Sequence, residues 1–296
     1  VAHLTHRIGA VLGLLLAVPA VPASAQVDLS GEWSSFFHEE QPERIPGPEI
    51  GNYIGFPVND HIRMRGDTWD ASIQTLPEYQ CRPHNSDYQT RAPQDLHIEK
   101  EIDLISRDVV AWKGHWLRST TPRVFYMDGR PRPSPNDLHT WEGFSTAEWH
   151  GDVLTITTTH LKEGYIRRNG LPRSDKATVV EHLVRHGDVL TWVTIIDDPV
   201  YLTEPLVRST DYRLNLHGAV PPYPCGIVEE VDREPGNVPH FLPGTNPFLT
   251  EFAERYGVPA AAWRGGAETM YPEYRLKLQE LQGPNPSLRE PVNVRR

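Results

Sequence analysis

The chain has 296 residues, with 29 Lys or Arg against 39 Asp or Glu, a formal net charge of -10. That balance excludes the basic footprint needed for non-specific nucleic-acid binding, and a hydrophobic share of only 38% excludes a polytopic membrane protein. The 8 Trp, 11 Tyr and 8 Phe suffice for a buried core, while the 28 Pro favour short elements joined by turns.

The first 25 residues read as a secretory signal. Arg7 precedes the apolar run Ile8 to Val18, and Ala23 and Ala25 stand where a signal peptidase would cut before Gln26. The run is too short to span a bilayer permanently. Val1 suits an alternative bacterial start codon, so export to a bacterial periplasm or beyond is expected. Leu29-Ser30-Gly31-Glu32-Trp33 opens the first strand. Cys81 and Cys225 are the two cysteines, and an oxidising compartment permits a disulfide between them. Such a bond would be worth at most roughly 5 kcal/mol; two buried thiols are the alternative.

Alternating runs follow at 96–105 and 109–116, then Arg123-Val-Phe-Tyr-Met127 before Asp128-Gly129, a turn pair expected to close a hairpin. The segment His150-Gly-Asp-Val-Leu-Thr155 recurs as His186-Gly-Asp-Val-Leu-Thr191. Gly in the first position of a two-residue loop is a type II′ signal. It places hairpin strands at roughly 142–150 with 153–161, and 177–186 with 189–197. About nine or ten strands joined by short turns describe an all-β antiparallel meander closing into a barrel over 26–217.

Residues 218–245 are Pro-rich and loop-like. Asn246 caps a helix with Pro247 at its first position, and Gly257 stops it. A second helix puts Tyr274, Leu278 and Leu281 on one side. Both short helices, within 218–282, are expected to pack on the same domain, and 283–296 reads as a disordered tail.

A two-residue loop fixes register, and directly opposed residues share a face. Trp149 should oppose Leu154, Ala147 Ile156, Ser145 Thr158 and Gly143 His160, which puts His160 on the core side. In the second hairpin the repeat selects the face of Val179, Glu181, Leu183, Arg185, Leu190 and Trp192; otherwise His182 replaces Glu181. A carboxylate beside His160 would fix the imidazole tautomer for general base work, with Arg185 as a clamp for negative charge. The alternatives are a buried structural His160, or a metal site built from His139, His160 and His182.

Gly31-Glu32-Trp33 resembles the G-x-W signature of lipocalin-type barrels, which enclose one small apolar ligand and use the Trp to close one end. The run from Asp128-Gly129-Arg130-Pro131 through 139–152 to 167–175 is similar to a large group of secreted bacterial proteins of unassigned function. That resemblance implies secretion and one β-rich domain, and it transfers no catalytic residue. No Walker loop or Gly-x-Gly-x-x-Gly is present, and Ser145 lacks the strand-to-helix turn of a nucleophile elbow.

Two function classes follow. The first is an exported enzyme without a cofactor, of lyase, isomerase, hydratase or hydrolase type, with His160, Glu181 and Arg185 as its catalytic groups. The second is a small-molecule binding protein that holds an aromatic or apolar ligand with Trp141, Trp149, Trp192 and Thr158. Either has a small molecule as partner, with no nucleic acid and no membrane span; the sequence leaves the oligomeric state open.

Overall fold

The computed structural model of the chain describes residues 27–36, 49–91, 94–119, 121–223, 226 and 239–282. The expected signal segment, the tail after 282, Cys225 and much of the Pro-rich stretch lie outside these residues. Nine strands form a closed barrel. They are β1 (Gly31–Ser35), β2 (Leu96–Ile102), β3 (Val109–Trp116), β4 (Arg123–Tyr126), β5 (Phe144–His150) and β6 (Val153–Thr159), followed by β9 (Thr178–His186), β10 (Val189–Asp197) and β11 (Leu206–Leu214). Between β6 and β9 the chain makes a separate two-stranded ribbon, β7 (Gly164–Tyr165) and β8 (Pro172–Arg173). Each barrel strand pairs with the next barrel strand in the chain, and β1 closes the ring between β2 and β11.

Both Gly-Asp loops are two-residue hairpins, with His150 opposite Val153 and His186 opposite Val189. Gly151 and Gly187 take φ of 61° and 60°, a backbone conformation that costs a side-chain-bearing residue about 1–2 kcal/mol. The expected pairs Trp149 with Leu154, Ala147 with Ile156 and Ser145 with Thr158 are observed. Val179, Glu181, Leu183, Leu190 and Trp192 are buried, so Glu181 rather than His182 faces the interior.

Asp128-Gly129 does not close a hairpin. The chain turns there locally, with Arg130 bonded to Asp128 and stacked 3.6 Å from the Tyr126 ring centroid. It then returns along the barrel, and β5 enters parallel to β4, Phe125 opposite Ser145. The cause is parity: an up-and-down ring with an odd number of strands has one parallel pair.

The two ends of the barrel differ. One carries the tight hairpins at 151–152 and 187–188 and the turn at 103–108. The other receives the long connections: β1 to β2, β6 to β9, β10 to β11, and the last part of the β4–β5 segment. Within the β1–β2 connection lie α1 (Asp60–Asp67), a 3-10 turn (Ala71–Thr75), α2 (Pro77–Gln80) and α3 (Ser86–Gln89). Asn59 caps α1, accepting from Ile62 N–H.

The barrel core contains Trp33, Trp112, Trp116, Trp192, Phe125 and Tyr212, all nearly inaccessible. Trp192 meets Trp116, Phe125 and Tyr212 edge-on at 5.3, 6.1 and 6.5 Å. Burying each indole is worth roughly 4–6 kcal/mol by area. A second apolar cluster, including Tyr53, Ile62, Leu161, Ile166, Leu171 and Tyr201, builds the long-loop end.

Asn246 caps a 3-10 turn (Pro247–Leu249), and Gly257 ends α4 (Glu251–Tyr256) at φ 63°. Next come α5 (Ala260–Arg264) and α6 (Pro272–Gln282). These helices join the α1 region: Tyr53 N–H donates to Trp263 O at 2.9 Å, and Arg264 is bonded to Asp67 at 2.6 Å. Among the described residues no helix is long and apolar enough to cross a membrane.

Candidate functional site

Inside the barrel, above the tryptophans, lies a buried ion pair. Arg123 opens β4, and inward alternation with Phe125 points it at Glu181 on β9. The two are 1% and 0% exposed. Arg123 grips both carboxylate oxygens and donates to Thr158 Oγ1 at 2.7 Å. Trp192 Nε1–H also donates to Glu181, at 2.9 Å. Ser145 and Thr158 bond each other at 2.8 Å. A buried charge needs this degree of compensation.

Segment 84–91, which carries α3, plugs the mouth above that pair. Asp87 pairs with Arg173 at 3.2 Å, both fully buried. Arg208 donates to Asp87 O at 2.7 Å, Arg91 to Ile166 O at 2.9 Å, and the Thr90 and Thr194 hydroxyls are 3.3 Å apart. Gln89 Nε2 reaches Glu142 at 3.2 Å and His84 O at 2.7 Å, and Ser119 donates to Gln89. Burial pushes the Glu142 carboxyl up to about 7, with Arg123 and Gln89 opposing and Asp87 assisting. The space that a lipocalin-type ligand would take is thus held by indoles, an ion pair and the chain's own plug.

The expected catalytic trio does not assemble. His160 lies one residue past β6 at φ 58°, so the alternation that should have aimed it inward stops at Thr159. It is buried, donating from Nε2 to Ser134 O and pairing Nδ1 with Thr159 Oγ1, both at 2.8 Å. Glu181 is engaged by Arg123 instead. Arg185 sits at the hairpin end, near the last turn of β9, donating to Gly187 O at 2.8 Å and to Asp28 O. Its guanidinium lies 5.2 Å from the Trp33 ring centroid.

The alternative metal set is also split. His139 and His160 are neighbours, with ring centroids 5.2 Å apart. His182 is on the outer face, bonded to Thr155 at 3.1 Å, toward the other end of β6. Among the described residues no group of three or more His, Cys, Asp or Glu is placed to hold a metal. Of the expected ligand-binding residues, Trp192 and Thr158 belong to the sealed interior and Trp149 packs against the core. Trp141 is placed differently.

Trp141 lines a cleft of about 420 Å³ on the outer side of the plug. Trp69, Tyr79 and Tyr165 supply further rings, and Arg82, Arg118 and Arg168 supply charge, while Arg167 borders the cleft with its guanidinium buried against Phe56 and bonded to Asn52 O at 3.0 Å. Trp69 and Tyr165 meet edge-on at 5.1 Å. The Arg82 guanidinium is 3.9 Å from the Tyr79 centroid and 5.5 Å from that of Trp141; Lys162 Nζ lies 5.0 Å from the latter.

Two glycines make this packing possible. A Cβ on Gly164 would fall 1.9 Å from Asn85 Oδ1, and one on Gly170, at φ 87°, 2.4 Å from Trp69. His84 Nδ1 accepts from Gln94 Nε2 at 3.1 Å, and His84 N–H donates to Arg118 O at 3.3 Å, which aligns the two flanks. The one carboxylate among the described lining residues, Glu163, is bonded to Arg65 at 2.7 Å.

Sequence reasoning named Trp141 alone among these groups. Arg123 carried a readable signal, since Phe125 faces inward two residues later. The other cleft residues come from segments distant in the chain and share no motif. No family model matches the chain, and no curated protein or solved structure matches it.

Proposed function

We propose that this chain is an exported β-barrel protein that binds a small ring-bearing molecule in the cleft at its long-loop end. The observation that carries the reading is the cleft itself: about 420 Å³, with rings from Trp69, Tyr79, Trp141 and Tyr165 on its walls. That volume suits a small organic ligand, and concave sites of this size with aromatic walls and a few polar groups are the usual form of such sites. The polar interior that motivated acid–base chemistry is accounted for by the Arg123–Glu181 pair and its hydroxyl partners. Export with cleavage before Gln26 and a Cys81–Cys225 bond belong to the same proposal.

The test is mass spectrometry of small molecules co-purifying with the mature protein, followed by titration of those molecules against tryptophan fluorescence. A ring compound that returns unchanged and whose binding is lost in Trp141→Ala supports the reading. A compound that the protein converts, or binding that ignores Trp141, overturns it. N-terminal sequencing of the exported form should begin at Gln26.

A further inference from the structure

We infer that the ligand of this cleft is an anion: a flat ring compound carrying a carboxylate. The inference rests on the proposed binding function and specifies its chemistry. The whole chain is acidic, with a net charge of -10. The cleft lining reverses that sign, with the guanidiniums of Arg82, Arg118 and Arg168 against Glu163, the single carboxylate among the described lining residues; Arg167 also borders the cleft, but it is buried and bonded to Asn52 O.

Glu163 is already committed to Arg65 and, at 3.5 Å, to the Tyr201 hydroxyl. Arg82 and Arg118 have no ion-pair partner among the described residues; their contacts are with aromatic faces, Tyr79 and Trp141 for the first and Tyr223 for the second. A guanidinium held flat on a ring keeps its N–H edge available for a bidentate acceptor.

Gln74 adds an amide donor to the lining, and Gln80 and Gln94 each have one amide N–H left beyond those given to Thr75 O and His84 Nδ1. The site offers donors and positive charge beside ring faces. A neutral apolar guest would leave those donors unsatisfied, whereas a carboxylate on a flat ring would occupy both features together.

The experiment is calorimetric titration of the full mature chain with benzoate and 2-naphthoate, each beside its neutral amide of nearly the same shape. Charge-assisted hydrogen bonds should make the acid bind about 10- to 100-fold tighter than its amide. The gap should shrink in Arg82→Gln and in Arg118→Gln, with the urea midpoint of each variant checked against the parent. Trp141→Ala should weaken acid and amide alike. Amides that bind as tightly as acids would overturn the anion inference and leave the ring-binding cleft standing. Failure of all four probes at millimolar concentration would overturn both.

Discussion

The Arg123–Glu181 pair offers the sharpest test of how the barrel interior is held. Glu181→Leu leaves Arg123 charged and buried with hydroxyl partners only, and it strips the acceptor from Trp192 Nε1–H. Arg123→Met strands the carboxylate instead. Breaking one side of a buried pair costs about 3–5 kcal/mol, a large part of the roughly 5–15 kcal/mol that holds a domain folded. If the two losses were independent, the double variant would lose about 6–10 kcal/mol.

Independence is not expected. The double replacement removes both charges, fills similar volume with apolar atoms, and leaves Ser145 and Thr158 bonded to each other at 2.8 Å. Only the Trp192 N–H is orphaned, so the double variant should lie within about 1–3 kcal/mol of the parent. Urea unfolding followed by tryptophan fluorescence and far-ultraviolet circular dichroism measures all four corners of the cycle. Singles that unfold outright meet the expectation, provided the double variant folds. A double variant as unstable as the sum of the singles, or an Arg123→Met costing under about 1 kcal/mol, would refute the compensation argument.

Other outcomes are open to measurement. Glu142, raised to about 7, keeps a proton in the folded state that the unfolded chain releases near 4.5, so its contribution makes stability fall as pH rises through that window. The parent should lose roughly 3 kcal/mol between pH 4.5 and 8 from this group, a loss absent in Glu142→Gln; identical pH profiles for the two proteins would contradict it. Gly187→Ala, at φ 60° with open space around the new Cβ, should cost only the backbone strain of about 1–2 kcal/mol. Gly170→Ala, forced against Trp69, should cost more and also weaken ligand binding; equal effects of the two variants would count against the packing described. Thiol titration of native protein should find no reactive cysteine, and two after unfolding with reductant; two thiols without reductant would remove the Cys81–Cys225 bond.

The barrel was legible because its signals are local. Gly151 and Gly187 fix two registers outright, and alternation then sorts each strand into inner and outer faces. The repeat even chose Glu181 over His182 correctly. The same logic failed at His160, because it assumed the strand continued one residue too far; a left-handed residue after Thr159 ends the alternation. It failed at Asp128-Gly129 because a turn motif states that the chain bends, and strand parity decides where it goes next.

The plug was invisible for a different reason. Asn85-Ser86-Asp87-Tyr88-Gln89-Thr90 is polar enough to read as surface loop, yet every one of these residues is buried. What permits that burial is a set of partners far away in the chain, such as Arg173, 86 residues from Asp87. Periodicity cannot report a contact of that range, and the cleft inherits the difficulty because it is assembled on the plug's outer side.

The position of β1 sets the order in which the molecule can be completed. Trp33 is bonded into the ring between Leu96 on one side and Leu214 on the other. Among the described barrel strands, the first in the chain therefore waits for the last. Until residue 214 has been made, the growing sheet is an open ribbon with two unpaired margins, and the four central indoles have no complete wall around them. Hairpins such as β9–β10 can form as soon as they are synthesised, whereas the last seam joins the two ends of the barrel's sequence. Closing a loop of that length carries a large entropic cost, and only contacts of the C-terminal helices, such as Tyr53 with Trp263, close a longer one. During that interval an unpaired margin is open to a strand from another molecule, so the newly made chain is most exposed to mispairing just before it becomes a ring.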